Sequence, residues 1–290
     1  MSFLDSLQSR ICITGLSFCV SFLFEGLMIA DSKSTIRNML FNSYHGFIYY
    51  VIDSSLGAWC VVWLTMTVEK LPFAGVVNLD LPTHGKVGLG ILLSFLALLI
   101  YDFFYYWMHR FQHWSKWLWA EHELHHSDEH VNVTTGVRHH HLEIFMKAIF
   151  IAVPLAILFR LPAVNFGLAF FLTQSFVFFI HANARVSFGP FNRFMASPQV
   201  HRIHHSIQPE HIDKNFAAYF PIWDVIFGTY YHPKPGEYPP TGLVSGRTVY
   251  SLREAAMMPF VSWATMLKAR RQSSVSNNGN AGLGGISSTP

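Results

Sequence analysis

Residues 102–126 read DFFYYWMHRFQHWSKWLWAEHELHH, an apolar helical sequence that ends in a row of histidines. It contains an HxxxH box at 109–113 and an HxxHH box at 122–126. Positions i, i+3 and i+4 share one face of an α-helix, so the five histidines can point into one volume. The stretch therefore predicts a helical protein organised around a cluster of imidazoles.

A second HxxHH box lies far downstream, at 201–205. Neutral imidazole is a common ligand of iron, zinc and copper, and a structural zinc takes four ligands. Three boxes exceed that need and indicate two metals with four or five ligands each. His140, in the run RHHHLE, and His181, at the end of an apolar segment, are candidates to complete the set. The predicted metal ligands are His109, His113, His122, His125, His126, His140, His181, His201, His204 and His205.

The composition indicates a membrane protein. The chain is 51% hydrophobic and 13% charged, whereas soluble domains carry about 25% charged residues. Apolar runs suited to spans lie at 11–30, 44–67, 87–108, 145–160 and 163–181. The last two are short for a span of about 20 residues, so we predict an all-α fold with about four to five transmembrane segments. With a formal net charge of +3 and no basic run, nucleic-acid binding has no support.

The distribution of basic residues predicts the orientation. If the histidine boxes face the cytosol, sixteen of the twenty Lys and Arg residues lie on that side, which agrees with the positive-inside tendency. We therefore expect a cytosolic helical region that caps the spans and holds the dimetal site. We expect one integral-membrane domain over 1–271, with its motifs at about 95–232. The Ser-, Gly- and Asn-rich segment 272–290 is predicted to be a disordered tail.

Several acidic residues are candidates to support the histidines. Asp102 shares a helix face with His109, and an acid inside a membrane helix is costly without a function. Glu143 and Asp224 are further candidates to orient imidazoles and offset metal charge. Glu25 and Asp53 also lie inside apolar runs, but the sequence identifies no partner for them.

The order of the three boxes resembles that of the fatty acid hydroxylase superfamily, which includes sterol desaturases, sterol methyl oxidases, lipid hydroxylases and alkylglycerol monooxygenase. The flanking residues are similar too: 102–110 fits D-x-x-x-Y-W-x-H-R, 118–122 fits L-W-x-x-H, and 223–229 fits WD-x-x-FGT. The run 138–143 resembles R-x-H-P-x-E, with a histidine in place of proline. We align His140 with the family histidine, while the choice among the three consecutive histidines stays open.

The resemblance implies a membrane-bound, O2-dependent oxidase with two iron ions at the cytosolic face. It would act on a C–H bond of a lipid (sterol, fatty acyl or ether lipid), by hydroxylation or desaturation. The sequence has no GxGxxG after a strand and no CxxC pair. Electrons would therefore come from a separate donor, such as cytochrome b5, a ferredoxin or a flavoprotein reductase. Zinc can replace iron in expressed protein, because imidazole sites bind it more tightly than Fe(II). The membrane would be a bacterial inner membrane or the endoplasmic reticulum.

Two other classes of protein fit part of the pattern. A zinc-dependent membrane hydrolase would use the histidines and a nearby glutamate to activate water, but a hydrolytic zinc needs only three protein ligands. A metal transporter or sensor would also use histidines, but a transporter should place polar ligands near the middle of the membrane. Most of the candidate ligands lie outside the apolar runs, which favours a fixed site.

Overall fold

The computed structural model describes residues 3–30, 36–78, 87–160 and 166–281, and the described chain is mostly helical. The N-terminal helices are α1 (Phe3–Met28), α2 (Ile36–Ile52) and α3 (Ala58–Val68), the last two joined by a π-helical turn, Asp53–Gly57. The central helices are α4 (Val87–Trp114), α5 (Lys116–His126), α6 (Glu143–Lys147), α7 (Val153–Leu158) and α8 (Phe166–Ile180). A second π-helical turn, Ala148–Ala152, joins α6 to α7. The C-terminal helices are α9 (Pro198–His204), α10 (Ile222–Phe227) and α11 (Leu252–Ala281).

Three helical stretches of the described chain are long and apolar enough to cross a membrane: Ile11–Met28, Ile36–Val68 and Gly88–Trp114. Large apolar side chains are exposed along them, such as Leu27 (86% exposed) and Trp59 (62%), as expected for a surface that meets lipid. The helical runs 143–158 and 166–180 are about 24 and 22 Å long, below the roughly 30 Å of a hydrocarbon core. Three of the five predicted spans therefore have the length to cross a membrane unaided.

The ends of the helices sort into two layers. Two short strands, β1 (Val77–Asn78) and β2 (Phe159–Arg160), pair in parallel. The helical run 143–158 starts at Glu143 and ends just before strand β2. Its length of about 24 Å separates β2 from Glu143. The histidine-bearing ends of α4, α5, α8 and α9 lie in the opposite layer.

A buried polar network fixes the loop between α5 and α6. Asp128 Oδ2 accepts hydrogen bonds from Asn42 Nδ2 (2.7 Å) and Thr135 Oγ1 (2.6 Å), and Arg138 donates to Asn42 Oδ1 (2.6 Å). A 3-10 turn, Val133–Val137, stands between these residues and is capped by Asn132. Buried polar groups are costly without hydrogen-bond partners, so the network holds Arg138 in one place. The histidines at 139–141 directly follow Arg138, and the network therefore determines where they lie.

Glu25, the acid in the first apolar run, accepts hydrogen bonds from two other parts of the chain. Glu25 Oε2 accepts hydrogen bonds from the backbone N–H of Val133 (2.7 Å) and of Asn183 (2.8 Å). The carboxylate thereby joins α1 to the loop before α6 and to the segment that follows α8. This position accounts for an otherwise costly acid in a membrane helix.

The first part of the predicted disordered tail, 272–290, is helical in the structure. Helix α11 continues to Ala281, ten residues into the segment predicted to be disordered from 272. Residues 272–281 contain no Pro, so no residue among them forbids a helical backbone. The rest of the predicted tail, 282–290, lies outside the described residues.

Candidate metal centre

Nine buried or nearly buried imidazoles meet in the layer beside the membrane helices and form two groups. Within each group, one ligand nitrogen per residue lies within 4.8 Å of all the others. The five-histidine group consists of His109, His113, His122, His126 and His204. The four-histidine group consists of His125, His181, His201 and His205. The groups are adjacent, since the His126 and His205 rings are 4.6 Å apart between centroids.

Helix periodicity places most of these side chains, as the sequence predicts. His109 and His113 occupy one face of the last turns of α4, and the 122–126 box occupies the last turn of α5. Only Ser115 separates the two helices, so they fold back on each other. The third box lies on α9, whose N-terminus is capped by Ser197, with its Oγ 3.3 Å from the Val200 N–H. His181 directly follows α8.

One short segment, residues 213–216, orients three imidazoles of the five-histidine group. Each of these rings directs its Nδ1 at an acceptor in the segment and leaves Nε2 for the interior of the group. The three contacts are His113 Nδ1 to Asp213 Oδ1 (3.4 Å), His204 Nδ1 to Lys214 O (2.9 Å) and His109 Nδ1 to Phe216 O (2.7 Å). An acceptor on the remote nitrogen fixes the tautomer and the orientation of a metal-binding imidazole.

The segment 213–216 has an unusual backbone. Asp213 (φ 59°) and Asn215 (φ 57°) are the two non-glycine residues with positive φ in the described chain. Asn and Asp tolerate this left-handed conformation better than other residues with a side chain. Asn215 stabilises it by donating from Nδ2 to the carbonyls of Val200 (3.2 Å) and Tyr231 (3.1 Å).

Asp102 and Asp224 support the imidazoles through this backbone and not by contact with them. Together they accept hydrogen bonds from five consecutive backbone N–H groups, residues 216–220. Asp224 takes the first two, at 2.8 and 2.9 Å, and Asp102 takes the other three, at 3.1, 3.2 and 2.8 Å. The expectation that these acids orient imidazoles is not matched by a direct contact: the backbone that they hold begins at Phe216, the last residue of the segment 213–216, and continues to 220.

Glu143 lies directly beside the imidazoles. Its Oε2 is 2.5 Å from His139 Nδ1 and 4.0 Å from His122 Nδ1, and its Oε1 is 2.9 Å from Lys147 Nζ. Burial raises the pKa of Glu143, but His139 and Lys147 outweigh that effect and hold the pKa below its usual value. The site therefore contains a buried anion that can offset metal charge.

His139, and not His140, belongs to the centre. The His139 ring stacks on that of His125, with 4.3 Å between centroids. His140 points away and its Nε2 lies 3.1 Å from the Ala256 carbonyl of α11. The alignment of His140 with the family histidine is corrected accordingly. The reason is local: the 3-10 turn and the network around Arg138 set the direction of each residue that follows, and three consecutive histidines carry no periodicity to reveal it.

The donor set of both groups fits divalent metal ions. Because His109 and His181 direct Nδ1 at backbone carbonyls, each presents an unprotonated Nε2 to its neighbours. These nitrogens lie 2.9 Å from Nε2 of His122 and 2.9 Å from Nε2 of His201. Burial also lowers the pKa of His122 and His201, which favours neutral rings there. Closely opposed lone pairs on neutral imidazoles are the arrangement that a shared cation satisfies.

The two groups open in different directions. A cavity of about 430 Å³ reaches His113, His126 and His204 of the five-histidine group, beside Lys116 and Asp213. A smaller cavity of about 130 Å³ reaches the other group and His139. It is enclosed by side chains of α2, α4 and α8, including Tyr101 and Gln174, so it lies between membrane helices.

Comparison with known proteins identifies the class to which this site belongs. Residues 94–229 match the family model for fatty acid hydroxylase. The matched range contains every imidazole of the two groups, together with Asp102, Glu143 and Asp224. This range is just under half of the chain, and over it the predicted resemblance to the fatty acid hydroxylase superfamily is confirmed.

The similar proteins with assigned activities are lipid oxygenases. Alkylglycerol monooxygenase from Danio rerio is 39% identical over 135 residues, which are 47% of this chain and 30% of that protein. The Homo sapiens enzyme of the same name is 40% identical over 134 residues, 46% of this chain and 29% of that protein. Ornithine lipid hydroxylase OlsE from Rhizobium tropici is 30% identical over 138 residues, 48% of this chain and 41% of that protein. The match thus covers less than a third of either alkylglycerol monooxygenase. No solved structure matches the chain.

The sequence left His139 as one of three open choices and gave no role to the segment 213–216. The signal for the segment was present in Asp213-Lys214-Asn215, because Asp and Asn are the residues that most often adopt a left-handed backbone. Nothing local indicates that backbone carbonyls of this segment would accept from histidines about 10 and 107 residues away in sequence.

Proposed function

We propose that this protein is a membrane-bound, O2-dependent oxidoreductase that hydroxylates a C–H bond of a lipid. The observation that carries the proposal is the pair of imidazole groups, one of which opens into a cavity between membrane helices. A site for reacting lipid must reach the bilayer without exposing the metal to bulk water. The similarity to alkylglycerol monooxygenase and ornithine lipid hydroxylase favours hydroxylation over desaturation.

Each imidazole group would hold one iron ion, and the metals would supply O2 activation and C–H oxidation. The protein's own residues perform three tasks. The imidazoles bind through Nε2 where the carbonyls of Lys214, Phe216 and Val177 hold Nδ1. Glu143 compensates charge beside both groups. The helices around the smaller cavity exclude water and position the lipid.

Electrons would come from a separate donor: a cytochrome b5, a ferredoxin or a flavoprotein reductase. The metal layer would face the cytosol, as the distribution of basic residues predicts, and the chain would form one integral-membrane domain over 1–271. A soluble donor would approach through the larger opening at His113, His126 and His204, which shares no lining residue with the smaller cavity.

The deciding experiment is isotope incorporation. Full-length protein in nanodiscs, loaded with iron and supplied with a reductant, is incubated with a lipid extract under 18O2. We expect one 18O atom in the lipid product and about two irons per chain. The matched control is His204→Ala, which should lose product formation. Product that forms without O2 would indicate a hydrolase, and full activity with zinc in place of iron would refute the oxidase mechanism.

A further inference from the structure

The smaller cavity carries polar groups that metal binding does not use. The π-helical turn Asp53–Gly57 interrupts the long span Ile36–Val68 and brings Asp53 and Ser54 to the cavity wall, next to Tyr50. A π-turn changes the direction of side chains within a helix, and such turns are frequent at functional sites. His125, His181 and His201 line the same cavity, so the polar groups and the metal ligands share one space.

Two of these polar groups, the hydroxyls of Tyr50 and Ser54, have no hydrogen-bond partner among the described residues. Ser54 is 2% exposed and its Oγ makes no hydrogen bond there, and the same holds for the buried Tyr50 hydroxyl. The neighbouring Ser55 differs, since its Oγ donates to the Val51 carbonyl at 2.7 Å. Asp53 forms no ion pair within the part of the chain that the structure describes. Unsatisfied buried polar groups are costly, and an acid inside a membrane helix points to a function.

The one ammonium group on the described cavity wall is already engaged. Lys147 Nζ lies 2.9 Å from Glu143 Oε1 and 3.1 Å from the Tyr49 hydroxyl. Glu143 is in turn held beside His139. Lys147 therefore acts on Asp53 through its charge and not through a direct contact, so the Asp53 oxygens can accept hydrogen bonds from a molecule that enters the cavity.

We propose that Tyr50, Asp53 and Ser54 form a subsite that binds a hydroxyl-bearing, uncharged polar group of the lipid substrate. A carboxylate accepts from alcohol O–H groups, and the two hydroxyls can donate or accept in return. A hydrocarbon chain would leave all three groups unsatisfied, and an anionic head group would be repelled by Asp53. The inference rests on the proposed function and specifies the substrate class of the same site.

The subsite also limits which carbon reacts. A cavity of about 130 Å³ holds only a small part of a lipid, and this part lies against both the polar wall and the imidazoles. The carbon to be oxidised is therefore close to the bound hydroxyl and not at the far end of an acyl chain. Fixing one end of a substrate in this way is how binding energy selects a single reacting bond.

The test measures binding in the absence of O2, so that it is independent of turnover. Metal-loaded protein in nanodiscs is titrated with a monoalkyl glycerol ether, which has two free hydroxyls, and with its di-O-methyl derivative. We expect the free diol to bind about tenfold more tightly, which is the effect of about one lost hydrogen bond. Ser54→Ala and Asp53→Asn should reduce this preference to less than about threefold. Ser55→Ala, on the outward side of the same turn, should preserve it.

Equal binding of the two ethers by the unaltered protein would overturn the inference. A lipid of the same chain length with an ammonium head serves as a third probe. If it binds most tightly and loses that advantage in Asp53→Asn, the subsite recognises a cation and the hydroxyl assignment is wrong. Failure of the proposed function is seen separately, because a protein without oxygenase activity can still discriminate between the two ethers under nitrogen.

Discussion

The five-histidine and four-histidine groups use the same kind of ligand but differ in support and access. In the five-histidine group, three rings are oriented by the segment 213–216. Two aspartates hold the last residue of this segment and the four residues that follow it. In the four-histidine group, the described acceptor on a remote nitrogen is the Val177 carbonyl at His181. A cavity lined by α5 and residues 242–245 reaches the first group, and a smaller cavity lined by α2, α4 and α8 reaches the second.

If each group holds one metal, as proposed, this contrast indicates a division of tasks between the two groups. Oriented imidazoles bind a metal more tightly, because less order is lost on binding. Five ligands also leave less room for an external molecule than four. We therefore expect the five-histidine group to retain its metal more strongly. The four-histidine group, with fewer ligands and direct access to the lipid cavity, is then the place where substrate meets the centre.

The largest expected effect comes from removing one ligand of each group in turn. Loss of an orienting partner typically costs about 10- to 100-fold in metal affinity or activity, so loss of a ligand should cost more than about 100-fold in turnover. We expect His204→Ala to retain about one metal per chain, bound by the four-histidine group. We expect His201→Ala to retain about one metal per chain, bound by the five-histidine group. Metal analysis after dialysis measures both. If each variant lost both metals, the two positions would not be independent.

The next effect concerns stability. Glu143→Gln leaves Lys147 without its carboxylate in a mostly buried position, and we expect a loss of about 3 kcal/mol in the free energy of unfolding. The measurement is denaturant unfolding in detergent micelles.

The matched control for Glu143→Gln is Glu121→Gln, at a second buried acid. Burial and the nearby Glu143 carboxylate raise the pKa of Glu121, which favours the neutral carboxyl, and an amide resembles that form closely. We expect this control to lose less than about 1 kcal/mol in the free energy of unfolding. A similar loss in both variants would contradict the role of the Glu143–Lys147 pair.

A smaller effect tests the support of the five-histidine group. Asp213→Gly removes the carboxylate beside His113 but keeps the positive φ without strain. We expect about tenfold weaker metal binding by this group alone, measured by competition with a chelator. Asp213→Asn should restore most of the affinity, since its amide oxygen can still accept from Nδ1. Equal weakening in both groups would show that Asp213 acts on overall folding and not on His113.

The smallest effect is expected near the four-histidine group. Glu25→Gln replaces a carboxylate whose one oxygen accepts from the N–H groups of Val133 and Asn183. Because the amide oxygen of Gln can accept the same two bonds, we expect a loss of less than about 1 kcal/mol in unfolding free energy, with metal content unchanged. Glu25→Ala should cost about twice as much. A larger effect of Glu25→Gln would mean that the negative charge itself supports the segment around His181.

Local patterns in the sequence predict much of this fold. The apolar runs at 11–30, 44–67 and 87–108 correspond to the three candidate spans, because length and hydropathy are properties of each segment alone. The π-helical turn at Asp53 and the continuation of α11 to Ala281 were not predictable in the same way. They depend on packing and on the absence of a stop signal, which short patterns represent poorly.

The site shows the same limit. All the histidines in the three boxes lie in the two groups, because i, i+3 and i+4 spacing defines a helix face. The choice among His139, His140 and His141 stayed open in the sequence because it depends on a 3-10 turn fixed by residues from α2 and α5. The sequence marks Asp102 as a candidate to support the imidazoles, but its partners, the amides of 218–220, are separated from it by more than 100 residues.

Helix α4 carries Asp102 and two ligands, His109 and His113, on a single rigid element. Through Asp102 it also holds the amides next to the segment that orients both of these imidazoles. When bilayers of different thickness tilt this helix, the ligands and their acceptors tilt together. The spacing between the metal positions should therefore be the same in thin and thick membranes, even where the depth of the centre is not.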